Sequence, residues 1–561
     1  MNESIMIGKV QYVDTGNVTI NIERDELVNS VQVNQIVQVN SSKTNEKIIG
    51  LVTKILRKAS PVDGEDDSVS AVLENTIRVN LVGTLRERDG VKKHVFKRTL
   101  NTVPSLDAEC YLLRGQELSE FMKAISSGSS NPLTIGKYTM SEESVANLDG
   151  NKFFQRHAVI VGGTGSGKSW TVANILEKAT ALKSVNVVIF DIHGEYTPLK
   201  DLNNACLLKI AGPGEKPDND QAIFLPYWLL SYEEMAAMLL DRSDTNAPNQ
   251  SRALFDLILR EKQGTVRAAG DVTTEANMTV ESPIPYRIQA VLDELKRLDE
   301  EMVPGARAGS EKQGPLNSKL TRFIQRLESK ITDKRLNFLF NDDAALLAYD
   351  WLPQLIEKVL GYGNNNGVKI IDFSEVPSDI LPLITGLIGR LIFTVQQWTD
   401  ADDRHPIAIF CDEAHLYLPV TAADNMDERG LKNFERIAKE GRKYGVSLVV
   451  ISQRPADVSK TILSQCGNFI AMRLTNPEDQ NVIRRLFPDN LGDFAEMLPI
   501  LDVGEGLVVG DASLLPSRVV LDKPKIQPNS STVEFWDKWD EDKKSSTWEK
   551  AVKALRQQQK S

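Results

Sequence analysis

Cysteine is scarce and dispersed. The four residues, Cys110, Cys206, Cys411 and Cys466, lie far apart with no metal-ligand spacing, which argues against a disulfide framework or a zinc module and for free thiols in a reducing cytoplasm. Long apolar runs are also missing: no stretch approaches the length of a membrane span, and the opening MNESIMIGKV has no signal-peptide core. A cytoplasmic protein is expected. Nor is there a basic excess. With 66 Lys and Arg against 77 Asp and Glu, a net charge of -11, the surface as a whole is not built to coat nucleic acid, although a local basic channel is compatible with that balance. What the chain does have is length. Its 561 residues, 41% hydrophobic and 25% charged, have ordinary globular composition and suffice for two to four domains.

The densest local signal is AVIVGGTGSGKS, residues 158–169: a β-branched apolar run, a glycine-rich turn ending in Lys-Ser, and then the helix-compatible SWTVANILEKA. Strand, loop and helix are the context a phosphate-binding loop requires, and G-x-x-x-x-G-K-[ST] is met in full by Gly162, Gly167, Lys168 and Ser169. Across Gly162, Gly163, Thr164, Gly165, Ser166 and Gly167, small residues let successive backbone N–H groups face a polyphosphate at a helix N-terminus. Lys168 adds a charge on the β- and γ-phosphates, the Ser169 hydroxyl can ligate Mg²⁺, and Trp170 follows as a further nucleotide-contact candidate. The nucleotide is ATP or GTP.

Before this loop, residues 5–114 are short alternating runs separated by Gly, Asn and Asp turns, the pattern of a small antiparallel barrel or sandwich. No catalytic constellation appears there, so a scaffold or docking module is expected. SSGSSNP, residues 126–132, breaks the pattern and reads as a boundary. After the loop, VNVVIFDIHGEY reads as a parallel strand buried on both faces; Asp191 and Glu195 at its carboxyl end lie either near a Mg²⁺ shell or in a plain turn. Residues 226–351 read mainly as helices, an inserted subdomain. Its stretches 264–283 and 303–315 read as polar loops, carrying Arg267, Arg307 and Lys312 either into solvent or onto a nucleic-acid backbone.

HPIAIFCDEAH, residues 405–415, supplies the acidic partner that a phosphate-binding loop needs: Asp412 for the Mg²⁺ shell and Glu413 to orient and polarise the attacking water. The string DEAH does not by itself assign a helicase class, and His415 either packs or couples. A helix over 431–444 ends in EGRKYG. The strand SLVVISQRP then offers Gln453 as a residue able to touch both the γ-phosphate and the water.

In that order RHAVIVGGTGSGKSWTV, FDIHGEY, IFCDEAHLYLP, EGRKYGVSLVVISQRPADV and NFIAMRLTNPEDQ resemble the HerA family, hexameric DNA-translocating ATPases of the HerA/FtsK branch of P-loop motors. The resemblance spans about 133–521. It implies an α/β fold with a RecA-like core over 133–225 and 352–525, an N-terminal β-barrel over 1–125 for assembly and partner docking, a helical insert over 226–351 and a tail over 526–561. It also implies ATP with Mg²⁺, a homohexameric ring around duplex DNA, Arg442 acting on the neighbouring subunit's nucleotide, Arg156 near nucleotide phosphates, and Pro516, Ser517 and Arg518 beside the base. GGTGSGKS stands where the family usually has GTTGSGKS, and DIHGEY where it has DPHGEY; neither change removes a ligand. The tail carries Phe535, Trp536, Trp539 and Trp548 among dense charges, as a brace on a neighbouring subunit or as a disordered end. Two functions follow: a double-stranded DNA translocase or helicase feeding a partner nuclease or antiviral effector, or an ATP-binding scaffold ring that regulates its partner without movement. The complete hydrolysis set favours the motor.

Overall fold

A computed structural model describes residues 4–557 except 44, 63–69, 89–90, 101, 127–131, 242, 308, 363–365, 423–424, 489–490, 531–532 and 541–547. Most of the boundary segment SSGSSNP lies outside the described residues. The chain forms two compact units, Met1–Ala179 with Ser447–Gln527, and Thr180–Val446 with Pro528–Ser561.

The first unit opens with a closed six-stranded barrel. Asn17–Asn21, Ile5–Val13, Glu109–Leu112, Ile36–Asn40, Glu46–Val62 and Ser70–Arg88 pair in that order, and pairing of Ser70–Arg88 with Asn17–Asn21, Val18 opposite Val79, closes the ring. The cause is period-two patterning: in Asn17–Asn21 only Val18 and Ile20 are buried, and they meet Ile48, Val52, Ile77 and Val79 in one core. Val91–Lys97 pairs outside the ring on Ser70–Arg88.

The rest of the first unit is a sheet of two halves. Ala158–Val161, buried at all four residues, lies parallel between Val446–Ser452 and Asn468–Met472. Beyond Asn468–Met472 the strands run antiparallel through Glu505–Gly510, Ser517–Leu521, Leu133–Tyr138 and Ser141–Leu148. A strand without polar alternation needs cover on both faces, and AVIV at the sheet centre has it.

In the second unit five parallel strands lie in the order Ala222–Ile223, Ala205–Ile210, Val368–Asp372, Val187–Asp191 and Ile407–Cys411. The helices Leu381–Trp398 and Asn425–Glu440 pack against each other through glycine: a Cβ on Gly386 would stand 2.6 Å from the Gly430 Cα. Helices Tyr232–Leu239, Ala247–Ala269, Ile288–Glu300 and Thr321–Thr332 make up most of the segment before Val368–Asp372.

Both expected loops of that segment carry regular structure. Gly264 lies inside a helix that runs on to Ala269, because Leu257, Ile258, Lys262 and Val266 keep one face buried past it. That burial outweighs the roughly 1 kcal/mol a helical glycine costs, and the helix stops at Gly270, in left-handed conformation at φ 73°. Val272–Asn277 adds a further helical turn, and Met302–Pro304 pairs with Glu311–Gln313 as a hairpin. In the tail, Phe535–Asp540 and Glu549–Gln557 are helical, with Trp536, Trp539 and Trp548 exposed. Among the described residues, no helix is long and apolar enough to cross a membrane.

Candidate nucleotide site

The glycine-rich loop is braced from three directions. Gly162 N donates to Ser452 O at 3.4 Å, Gly163 N to Arg473 O at 2.9 Å, and Gly504 N to Ser166 O at 3.0 Å. Two of these braces are the ends of the flanking parallel strands; the third opens the antiparallel hairpin. Glycine is required here by space and by conformation. A Cβ on Gly162 would meet Ser166 Oγ at 2.4 Å and Met472 Cβ at 2.9 Å, and Gly165 and Gly167 have φ of 72° and 101°. Met472 lies under the loop, its Cε 3.0 Å from where a Cβ on Gly167 would be, and the Thr171 hydroxyl bonds Gly167 O at 3.1 Å. Helix Lys168–Thr180 starts directly from this turn, with Lys168 only 8% exposed. Ser166 Oγ is buried and has no hydrogen-bond partner among the described residues. A constricted turn of glycines with a helix N-terminus behind it fits a polyphosphate.

Gln453 reaches the loop. Its Oε1 accepts from Thr164 Oγ1 at 3.0 Å, and both line a cleft of about 630 Å³ with Gly163, Arg454, Asp457 and Asn476. Asp479 lines the cleft too: its carboxylate accepts Ala456 N at 3.0 Å, and burial pushes its pKa up.

Arg156 ends the helix Gly150–Gln155, which is capped by Asp149. Asn468 Nδ2 holds that end by bonding the carbonyls of Lys152, Phe153 and His157. The half-exposed Arg156 guanidinium lies 3.6 Å from Asp511. Arg518 pairs with Glu505, beside the Gly504 brace, through Nε at 3.1 Å and Nη2 at 2.5 Å. Ser517 is fully buried, its hydroxyl spent on Leu515 O at 3.0 Å, and Pro516 is buried too. Of the three residues expected beside the base, Arg518 alone points a polar group toward the loop's end of the hairpin. Lys523 Nζ stands 5.4 Å over the Trp170 ring, a cation–π contact at the start of the loop's helix.

Asp412, Glu413 and Arg442 belong to the second unit. Ile407–Cys411 is buried throughout and ends at Asp412, 1% exposed, and Glu413, 5% exposed. Glu413 sits at φ 44°, ψ 44°, a left-handed conformation that costs a non-glycine residue on the order of 1–3 kcal/mol and collects at functional positions. Its Oε2 lies 3.3 Å from His415 Nδ1, and Tyr417 Oη donates to Asp412 O at 2.9 Å. Asp191, at the same kind of strand end, is spent on its own turn. Its two oxygens accept Glu195 N and Tyr196 N, each at 2.8 Å, and burial, reinforced by Asp372, pushes its pKa up to about 7. Arg442 is exposed in the turn Gly441–Tyr444 and makes no ion pair among the described residues.

Residues 133–392 match the model for the central domain of helicase HerA, and residues 333–549 match the HerA-like C-terminal model. The chain belongs to the HerA family. It is a P-loop ATPase. Of its relatives, the DNA double-strand break repair helicase HerA of Sulfurisphaera tokodaii is 28% identical over 85% of this chain and 86% of its own. The helicase of the same name from Saccharolobus solfataricus is 26% identical, with 85% of each chain covered. Among solved structures, VirB4 of Thermoanaerobacter pseudethanolicus aligns with 70% of this chain and 97% of its own at a TM-score of 0.45 and 15% identity.

In this HerA-family chain the structure adds residues that sequence reasoning missed. Met472, Arg473 and Gly504 shape the loop without resembling any phosphate-binding motif, because each acts through backbone or packing from far along the chain. Lys523 likewise has no local signal. Its only cue was a lone tryptophan following Ser169.

Proposed function

We propose that this chain is the motor subunit of a ring that hydrolyses ATP to translocate duplex DNA, delivering it to a nuclease or antiviral effector docked on the N-terminal barrel. The supporting observation is the hydrogen bond between Thr164 and Gln453, which joins the loop to a strand-end amide of the kind that reads a γ-phosphate. A protein that only bound nucleotide would have no use for that amide or for a strained acid at Glu413. Relatives that align with most of this chain and are named as DNA double-strand break repair helicases support DNA as the track.

In this reading the N–H groups of Thr164, Gly165 and Gly167 and the Lys168 ammonium hold the triphosphate, while Gly163 N and Ser166 N keep the loop's shape. Ser169 and Asp412 are hard oxygen donors of the kind Mg²⁺ prefers, and they would hold it. When bound, that ion neutralises charge on the β- and γ-oxygens. Glu413, oriented by His415, takes the proton of the attacking water. Gln453 fixes that water against the γ-phosphate. Arg156 stands at the amino end of Ala158–Val161, opposite the end that carries its own loop, so it would approach the phosphates of a neighbouring copy. Trp170 and Arg518 face the base and sugar. Arg442 of an adjacent copy supplies the charge that stabilises the transition state. The barrel, 1–125, docks the partner; the helical segment, 226–351, contributes the hairpin of Met302–Pro304 with Glu311–Gln313 toward DNA; the homohexamer works in the cytoplasm.

The test is ATP turnover by the purified protein with and without duplex DNA, alongside directional displacement of a blocked duplex. DNA-stimulated hydrolysis with displacement is expected. Hydrolysis indifferent to DNA, with no displacement, would leave a regulatory scaffold instead.

A further inference from the structure

Arg442 emerges from a turn that the second unit holds from several sides, and one side chain, Arg404, joins it to the end of a helix. Helix Leu381–Trp398 ends with its last carbonyls open, as every helix does. Arg404 follows three acidic residues, Asp400, Asp402 and Asp403, yet makes no hydrogen bond to them and instead folds back onto that helix end. Its Nε donates to Gln396 O at 2.9 Å and its Nη2 to Thr399 O at 2.7 Å. Its Nη1 reaches Lys443 O, inside the Arg442 turn, at 3.5 Å. The same guanidinium stands 5.3 Å over the Tyr444 ring. Tyr444 meets Phe393 edge to face at 5.4 Å, and Arg436 covers Phe393 at 4.8 Å while donating to Gln397 Oε1 at 3.3 Å.

Cation, ring, ring and cation therefore alternate across the end of one helix and into the turn Gly441–Tyr444. The turn's exit is fixed as well: Gly445 has φ 71° and accepts Ile407 N at 2.8 Å. Arg442 takes no part in any of this. Glu440, the last residue of the helix before the turn, is engaged by Arg436 at 3.7 Å. A fixed turn that presents one uncommitted arginine is what a group acting on another molecule's phosphate requires, since such a group loses its effect when displaced by about 1 Å.

We propose that Arg404 is the positioning residue for Arg442: it clamps the turn to the end of Leu381–Trp398 and so sets where the Arg442 guanidinium reaches into a neighbouring copy. This rests on Arg442 acting in trans, and the experiment separates the two ideas. ATP turnover is measured for full-length Arg404→Ala, Arg442→Ala and Lys168→Ala proteins, singly and mixed, together with their melting temperatures. Arg404→Ala should lose roughly 10–100-fold in kcat, the size of a misplaced rather than absent group, with little change in KM for ATP. Mixing it with Lys168→Ala should restore turnover, because those subunits carry an intact clamp and finger to face its intact loop. Arg404→Ala combined with Arg442→Ala should be no slower than Arg442→Ala alone. Arg404→Lys, able to reach one carbonyl but not to fork across three, should fall between wild type and alanine. Wild-type kcat in Arg404→Ala while Arg442→Ala is inactive would overturn the positioning role, as would a loss that mixing does not restore. Full activity of Arg442→Ala on its own would instead refute action in trans, whatever Arg404 does.

Discussion

Replacing Gly162 by alanine places one methyl group in the tightest part of the loop. That Cβ would lie 2.4 Å from Ser166 Oγ and 2.9 Å from Met472 Cβ. The two obstacles differ in kind. The Ser166 hydroxyl is a short rotor with no hydrogen bond to lose, whereas Met472 Cβ is fixed to the strand Asn468–Met472, paired on both sides. Turning the serine aside pushes it off its rotamer, at about 0.5–1.5 kcal/mol, and the loop must still move from the strand, overpacking that costs about 1–3 kcal/mol. In a cooperative unit of about 150–250 residues, a 2 kcal/mol loss lowers Tm by roughly 4–8 °C. The displacement also strains the Gly163 and Ser166 braces that aim the loop's other N–H groups at phosphate, so ATP affinity should fall about tenfold for each 1.4 kcal/mol of misalignment. The assay is thermal unfolding together with nucleotide titration, on Gly162→Ala, Ser166→Ala and the double variant. Ser166→Ala alone should be near neutral, because it removes a buried hydroxyl that bonds nothing. In the double variant the serine contact is gone and the methionine contact remains, so it should recover about 1 kcal/mol of the Gly162→Ala loss. Wild-type Tm and affinity in Gly162→Ala, or strict additivity in the double, would refute the contact argument.

Other outcomes follow from the same geometry. Lys168→Ala should abolish hydrolysis and weaken nucleotide binding, whereas Glu413→Gln should bind ATP and stall; binding and turnover measured separately check both, and wild-type turnover in Glu413→Gln would remove it from the reaction. DNA binding should need the assembled ring and fall steeply with salt, because an acidic subunit must gather its few basic loops in one channel; equal affinity of monomer and ring fractions at matched salt would end that idea. For Asp191 the folded pKa, about 7, lies above the ordinary value of 3.8. Its contribution is therefore fully present below about pH 4 and is lost as pH rises through 7, on the order of a few kcal/mol. Asp191→Asn should flatten that part of the Tm profile between about pH 4 and 7; an unchanged slope would show that another group titrates.

The residues differ in how far their roles could be read from sequence. The loop was legible because its glycines impose a backbone shape within eight positions, and the barrel because alternation in runs such as Asn17–Asn21 is local. Asp191 and Asp412 show the limit. Each ends an apolar parallel strand, and only the structure separates a carboxylate taken up by Glu195 N and Tyr196 N from one followed by a strained glutamate. Gly264 misled for another reason: a local helix breaker was overruled by a buried face running past it. For Pro516, Ser517 and Arg518 spacing could not tell that the Ser517 hydroxyl is taken up by Leu515 O while Arg518 reaches Glu505.

The braces of the loop also set a timetable for synthesis. Thr164 finds Gln453 289 positions later, and the Arg473 and Gly504 braces come later still. At roughly 5–20 residues per second, a ribosome that has finished the loop needs on the order of 15–60 s to make the first of them. During that interval the nascent chain carries the phosphate-binding motif without the cradle, so ATP in the cell cannot act as an early template for its folding. Competence arrives late and nearly all at once, when the segment from Val446 onward inserts beside Ala158–Val161.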